Sequence, residues 1–94
     1  MEQIVSAKGL VNWLEKQPQD TTYIYDQGCD CLNARYLRAM GLDIYLVGSM
    51  SFRADRQDHE LPPDMDLIAR LGDTYYPSDK TYGQALAYAR TLGY

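Results

Sequence analysis

Apolar residues recur along this chain at two different spacings, and those spacings divide it into elements. In residues 6–17, Leu10, Trp13 and Leu14 fall three and four residues apart, the buried stripe of an amphipathic helix. Ser6 stands where its hydroxyl can accept from the first free backbone N–H groups, Val5 and Leu10 are spaced as a hydrophobic staple, and Pro18 stops the run. Gly9 in the first turns costs about 1 kcal/mol relative to Ala, so either the helix starts later or something packs close there. Residues 21–25 then change character. Thr, Tyr and Ile suit a pleated, half-buried surface, which predicts a strand of about five residues, ended by Asp26, Gln27 and Gly28.

Helical spacing returns over residues 30–40. Leu32, Tyr36, Ala39 and Met40 give one apolar face, widened by Cys31, Ala34 and Leu37, with Arg35 and Arg38 near the polar side. Asp30 is placed to cap this helix and Gly41 to close it in the left-handed conformation. Residues 44–47 are apolar throughout, which predicts a strand covered on both faces. Gly48 and Ser49 fit a two-residue type II′ hairpin, with Val47 opposite Met50 and Tyr45 opposite Phe52. Residues 54–63 carry charge without periodicity and read as a solvated loop.

A third helix follows Pro62 and Pro63, with Met65, Ile68 and Leu71 spaced to pack, Asp64 and Asp66 in its first turn, and Gly72 at its end. Residues 72–80 read as a second loop. The capping box Thr81-x-x-Gln84 opens a fourth helix, which runs on Tyr82, Ala85, Leu86, Ala89 and Leu92 and closes at Gly93. The expected fold is α+β and predominantly helical, with about four helices and a small two- or three-stranded sheet. At 94 residues the chain makes one domain, spanning 1–94. Two strands alone are marginal in water, so the helices must cover the sheet.

Charge and cysteine usage narrow the function. A net charge of −4 disfavours direct binding to nucleic acid and favours a basic partner. No apolar segment approaches the roughly 20 residues that span a bilayer, and the N-terminal residues are not a basic-then-apolar leader, so a cytoplasmic protein without a membrane partner is expected. Cys29 and Cys31 lie too close in sequence for an unstrained disulfide, and His59 is the one strong further ligand candidate, short of the four that zinc takes. No metal, cofactor or catalytic group is therefore expected. His59, between Asp58 and Glu60, reads as a surface histidine, and the glycines form no phosphate-cradling loop.

Two features remain for a contact surface. Asp55, Asp58, Glu60, Asp64 and Asp66 place five carboxylates in twelve residues against Arg56 alone, an array able to occupy lysines and arginines that otherwise hold phosphates. Of nine tyrosines, Tyr23, Tyr25, Tyr36 and Tyr45 fall where the fold explains them. Tyr75 and Tyr76, beside Pro77 in a polar loop, do not, and they join the carboxylates as candidate partner-binding residues.

Three stretches together resemble a group of small phage- and prophage-encoded accessory proteins, the pool from which anti-CRISPR proteins are drawn. They are Trp13-Leu14-x-x-Gln17-Pro18; Tyr23-x-Tyr25 followed by Cys31-Leu32-x-Ala34-x-Tyr36-Leu37-x-x-x-Gly41; and Thr81-Tyr82-Gly83-x-Ala85-Leu86-x-x-Ala89-Arg90. These are packing and capping residues, so the resemblance implies a shared fold before a shared activity. It further implies a non-enzymatic inhibitor or accessory protein, acting as a DNA mimic on a host protein with a basic, nucleic-acid-binding surface, such as a CRISPR effector subunit. The alternatives are a homodimeric regulatory module joined through its tyrosines, and a small enzyme using Cys29 or His59.

Overall fold

The chain folds as four helices and five short strands, described over residues 4–25, 30–48, 50–72 and 79–94 in a computed structural model. In order they are α1 (Ala7–Leu14), β1 (Thr22–Ile24), α2 (Leu32–Ala39), β2 (Ile44–Val47), β3 (Ser51–Ala54), β4 (Gln57–Glu60), α3 (Pro63–Ala69), β5 (Asp79–Thr81) and α4 (Tyr82–Thr91). Strands β2, β3 and β4 form an antiparallel meander, and β1 pairs with β5 in a separate antiparallel ladder, giving an α+β fold. No helix among the described residues is long and apolar enough to cross a membrane.

Helices α1 and α4 start where a side chain satisfies one of their first N–H groups. Ser6 Oγ accepts from Gly9 N at 3.0 Å, and Leu10 and Leu14 are fully buried. Trp13 lies half-buried at the margin of that stripe, its ring centroid 5.7 Å from Tyr36 and 5.4 Å from Tyr82, so it joins α1 to α2 and α4. Both halves of the α4 capping box form: Gln84 N donates to Thr81 Oγ1, and Thr81 N donates to Gln84 Oε1. Thr21 O and Gln19 O accept from Tyr82 N and Gly83 N, each at 2.9 Å, so the α1–β1 connection seats the α4 N-terminus. A Cβ at position 83 would meet Gln19 O at 3.1 Å, which accounts for glycine there.

Helix α2 departs from expectation at its start. Its N-cap is Cys31, with no side-chain cap bond. Asp30 instead holds Arg35 through two 3.2 Å bonds, and Arg35 Nη1 donates to Thr22 O at 2.8 Å. A carboxylate one residue ahead of the N-cap meets a guanidinium more strongly than a neutral amide. Leu32, Ala34, Tyr36 and Leu37 are buried, whereas Ala39 and Met40 face solvent past the point where α2 leaves the core. Gly41, with φ of 97°, ends the helix as expected. Inside, Tyr23 Oη donates to Ala69 O at 2.7 Å and Asn33 Nδ2 to Met65 O at 3.0 Å, tying β1 and α2 to α3.

The largest departures are in the strands. Residues 54–63, expected to be a loop, hold the whole of β4. The chain reverses at Asp55 and Arg56, whose φ values of 53° and 66° are the paired positive angles of a type I′ turn. The β2–β3 register also differs: Val47 pairs with Phe52 and Ile44 with Ala54, with a bulge between Ile44 and Leu46. Tyr45 consequently lacks Phe52 as its cross-strand partner and lies exposed, so β2 is not covered on both faces at that residue. Residues 79 and 80 of the expected second loop, together with Thr81, form β5, which pairs with β1.

Candidate interaction surface

Alternation along the meander sorts its side chains. Ile44, Val47, Phe52 and Ala54 turn into the core, whereas Tyr45, Ser51, Arg53, Asp58 and Glu60 lie on the solvent side. Cross-strand pairing sets Arg53 opposite Asp58 and Ser51 opposite Glu60. Arg53 Nε and Nη2 grip Asp58 at 2.9 and 3.2 Å, and this guanidinium holds the Asp58 carboxyl below the usual carboxylate range. Tyr45 and Met50 are 74% and 80% exposed, large side chains left uncovered beside the charges.

Four of the five expected carboxylates are exposed on this hairpin and its exit. Asp55 stands in the turn, Asp58 and Glu60 lie on β4, and Asp64 occupies the first turn of α3. Asp64 Oδ2 accepts from Tyr94 Oη at 2.5 Å, which raises the pKa of that hydroxyl and brings the chain's last residue to the same end of the molecule. Arg53 and Arg56 offset the four carboxylates in part and leave the surface acidic.

Asp66 does not belong with them. Residues two apart on an α-helix are separated by about 200°, so carboxylates at 64 and 66 cannot share a face. Asp66 is buried, accepts from Tyr25 Oη at 2.7 Å and pairs with Arg70 at 3.1 Å, a structural role inside the fold. Tyr75 and Tyr76 lie outside the described residues, as does Cys29.

His59 is the residue of β4 that turns inward. Its ring stacks on Phe52, its cross-strand partner, with centroids 5.1 Å apart and planes 21° from parallel. Its Nε2 is buried without a hydrogen-bond partner among the described residues, at a hollow of about 380 Å³ lined by Val5, Phe52, Glu60, Leu61, Pro62 and Pro63. Cys31 is buried and unbridged, and burial pushes its thiol pKa up, away from the reactive thiolate. Among the described residues, no three His, Cys, Asp or Glu side chains gather as a ligand set.

Sequence reasoning passed over Tyr45, Met50, Arg53 and Tyr94. A signal existed for two of them. Arg53 stands two residues before Asp55-Arg56 and Asp58 two residues after it, the spacing that sets an Arg opposite an Asp across a two-residue turn, and Tyr45 is the polar-tipped member of an otherwise aliphatic run. Compared with known proteins, the chain matches no family model, no curated protein and no solved structure.

Proposed function

We propose that this protein is a non-enzymatic binding module that engages a cationic protein surface through the solvent side of its three-stranded sheet and the start of α3. The observation that carries the reading is the placement of Asp55, Asp58, Glu60 and Asp64 on one hairpin and its exit, beside uncovered Tyr45 and Met50. Carboxylates on a paired sheet are held at fixed spacing, as phosphates are on a duplex, and so can occupy lysines and arginines that otherwise hold nucleic acid. Exposed aromatic and thioether groups add apolar contact of the kind enriched at interface centres. The partner fitted by this chemistry is a nucleic-acid-handling protein. The phage-type accessory or inhibitory role implied by the resemblance fits the same chemistry, with a host protein as target.

Affinity capture on the immobilised protein, followed by elution with rising salt and by competition with duplex DNA, tests this reading. A specific partner should be released by both. Retention of the partner through high salt and excess DNA would show that the acidic surface is not what binds it.

A further inference from the structure

Resting on that reading, the geometry points to the way a partner is held: strand β4 is an acceptor edge that takes an extended basic–apolar–basic segment as a fourth strand. Strand β4 closes one side of the β2–β3–β4 sheet, and among the described residues β3 is its one strand neighbour. In a hairpin with a two-residue turn, Ala54 and Gln57 are a hydrogen-bonded pair, and bonded and non-bonded pairs alternate from there. Phe52 and His59 are therefore bonded to each other, consistent with Leu61 N donating to Met50 O at 2.9 Å one step further. Asp58 and Glu60 fall on the non-bonded positions, so their backbone N–H and C=O groups point away from β3, out of the sheet.

The side chains on this edge define what it accepts. A strand laid alongside puts two residues opposite Asp58 and Glu60 on the solvent side of the sheet, where opposite charges across strands are favourable. The residue between them, opposite His59, points to the other side, over the hollow formed by Val5, Phe52, Leu61 and Pro62. That hollow is lined mainly by apolar side chains, with Glu60 and the unpartnered His59 Nε2 as its polar groups, so it suits an apolar side chain, and a tyrosine there also carries a hydroxyl toward Nε2. Main-chain bonds then give affinity while alternate side chains give selectivity, the usual division in strand addition. A second copy of this chain is a poor occupant, because antiparallel pairing of two β4 edges sets Asp58 against Glu60 of the other copy.

The test uses the intact protein and two capped heptapeptides of identical composition: Lys-Val-Arg-Tyr-Arg-Val-Lys, which alternates, and Lys-Arg-Arg-Val-Tyr-Val-Lys, which does not. At low salt the alternating peptide should bind about tenfold more tightly and slow exchange of the Asp58 and Glu60 amide protons, and methylating its edge-facing amides should abolish that preference. Equal affinity for the two isomers, without amide protection, overturns strand addition and leaves the cationic-surface reading standing. Binding of neither peptide overturns both. Protection of the same amides that rises with protein concentration alone would give the edge to a second copy and overturn the proposal.

Discussion

At the scale of single residues, the decisive distinction is between carboxylates of the same type in different surroundings. Asp58 sits exposed beside Arg53, while Asp66 is closed in by Tyr25 and Arg70. Removing a buried acceptor strands the groups it served, at a cost of about 1–3 kcal/mol. Asp66→Ala should therefore lower the denaturant midpoint clearly, and Asp58→Ala should shift it no more than an ordinary surface substitution. The tyrosines give a second residue-level expectation. Burial raises the hydroxyl pKa of Tyr23, Tyr25 and Tyr36 from its usual value near 10, and for Tyr25 the hydrogen bond to Asp66 adds to the effect. Above pH 10 the unfolded chain has lost protons that the folded chain keeps, so stability is full below that pH and falls as pH rises past it. Denaturation curves recorded from pH 8 to 11 should show this loss. Tyr23→Phe should lower stability at pH 8, by removing the bond to Ala69 O, yet flatten the decline above pH 10.

At the scale of elements, the β3–β4 hairpin turns on two non-glycine residues with positive φ, a conformation that costs an L-residue roughly 1–2 kcal/mol. Arg56→Gly should relieve part of that cost and raise the melting temperature, with the ladder from Ser51–Glu60 to Ala54–Gln57 retained by amide exchange. That hairpin also marks the limit of what the sequence discloses. The helices were legible from their 3.6-residue stripes, and α1 and α4 also from a capped start, Ser6 for α1 and the Thr81–Gln84 box for α4, whereas the expected Asp30 cap of α2 did not form. The first strand and the β2 run were legible from residue type. Strand β4 was not, because Gln57, Asp58, His59 and Glu60 lack β-branched or aromatic residues apart from the imidazole, and an edge strand with one solvent-facing side needs few apolar positions. Its turn was hidden too, since Asp55-Arg56 lacks the glycine that usually announces a type I′ reversal. The β2–β3 register differs already beside the turn, where Val47 pairs with Phe52 in place of Met50, and shifts again at the bulge between Ile44 and Leu46, which no local pattern encodes. The acidic run was legible as a run, but its division into a presented set and the inward Asp66 required the helical phase of α3.

At the scale of the whole molecule, the helices pack with one another, and the meander's solvent face exposes Tyr45, Ser51, Arg53, Asp58 and Glu60 among the described residues. Negative charge is not confined to that face, since exposed carboxylates such as Asp20 and Glu15 lie elsewhere and carry the same sign. A partner drawn by net charge would respond to all of them; a partner seated on the meander would respond to those on the hairpin. The triple reversal of Asp58, Glu60 and Asp64 to Lys should accordingly slow association and raise Kd steeply, whereas Asp20→Lys with Glu15→Lys should do far less. The second pair is a fair comparison, because Glu15 meets Arg90 at 3.2 Å in an exposed bridge of the kind worth about 0–1 kcal/mol to stability. Charges separated by more than the Debye length of about 8 Å at ~0.15 M salt are largely screened, so the contrast between the two sets should widen as salt rises from low to physiological. Association rates measured by surface plasmon resonance across that range decide the matter. Parallel losses from both sets would reduce the effect to net charge, and an unchanged rate for the triple variant would remove the meander from the interface.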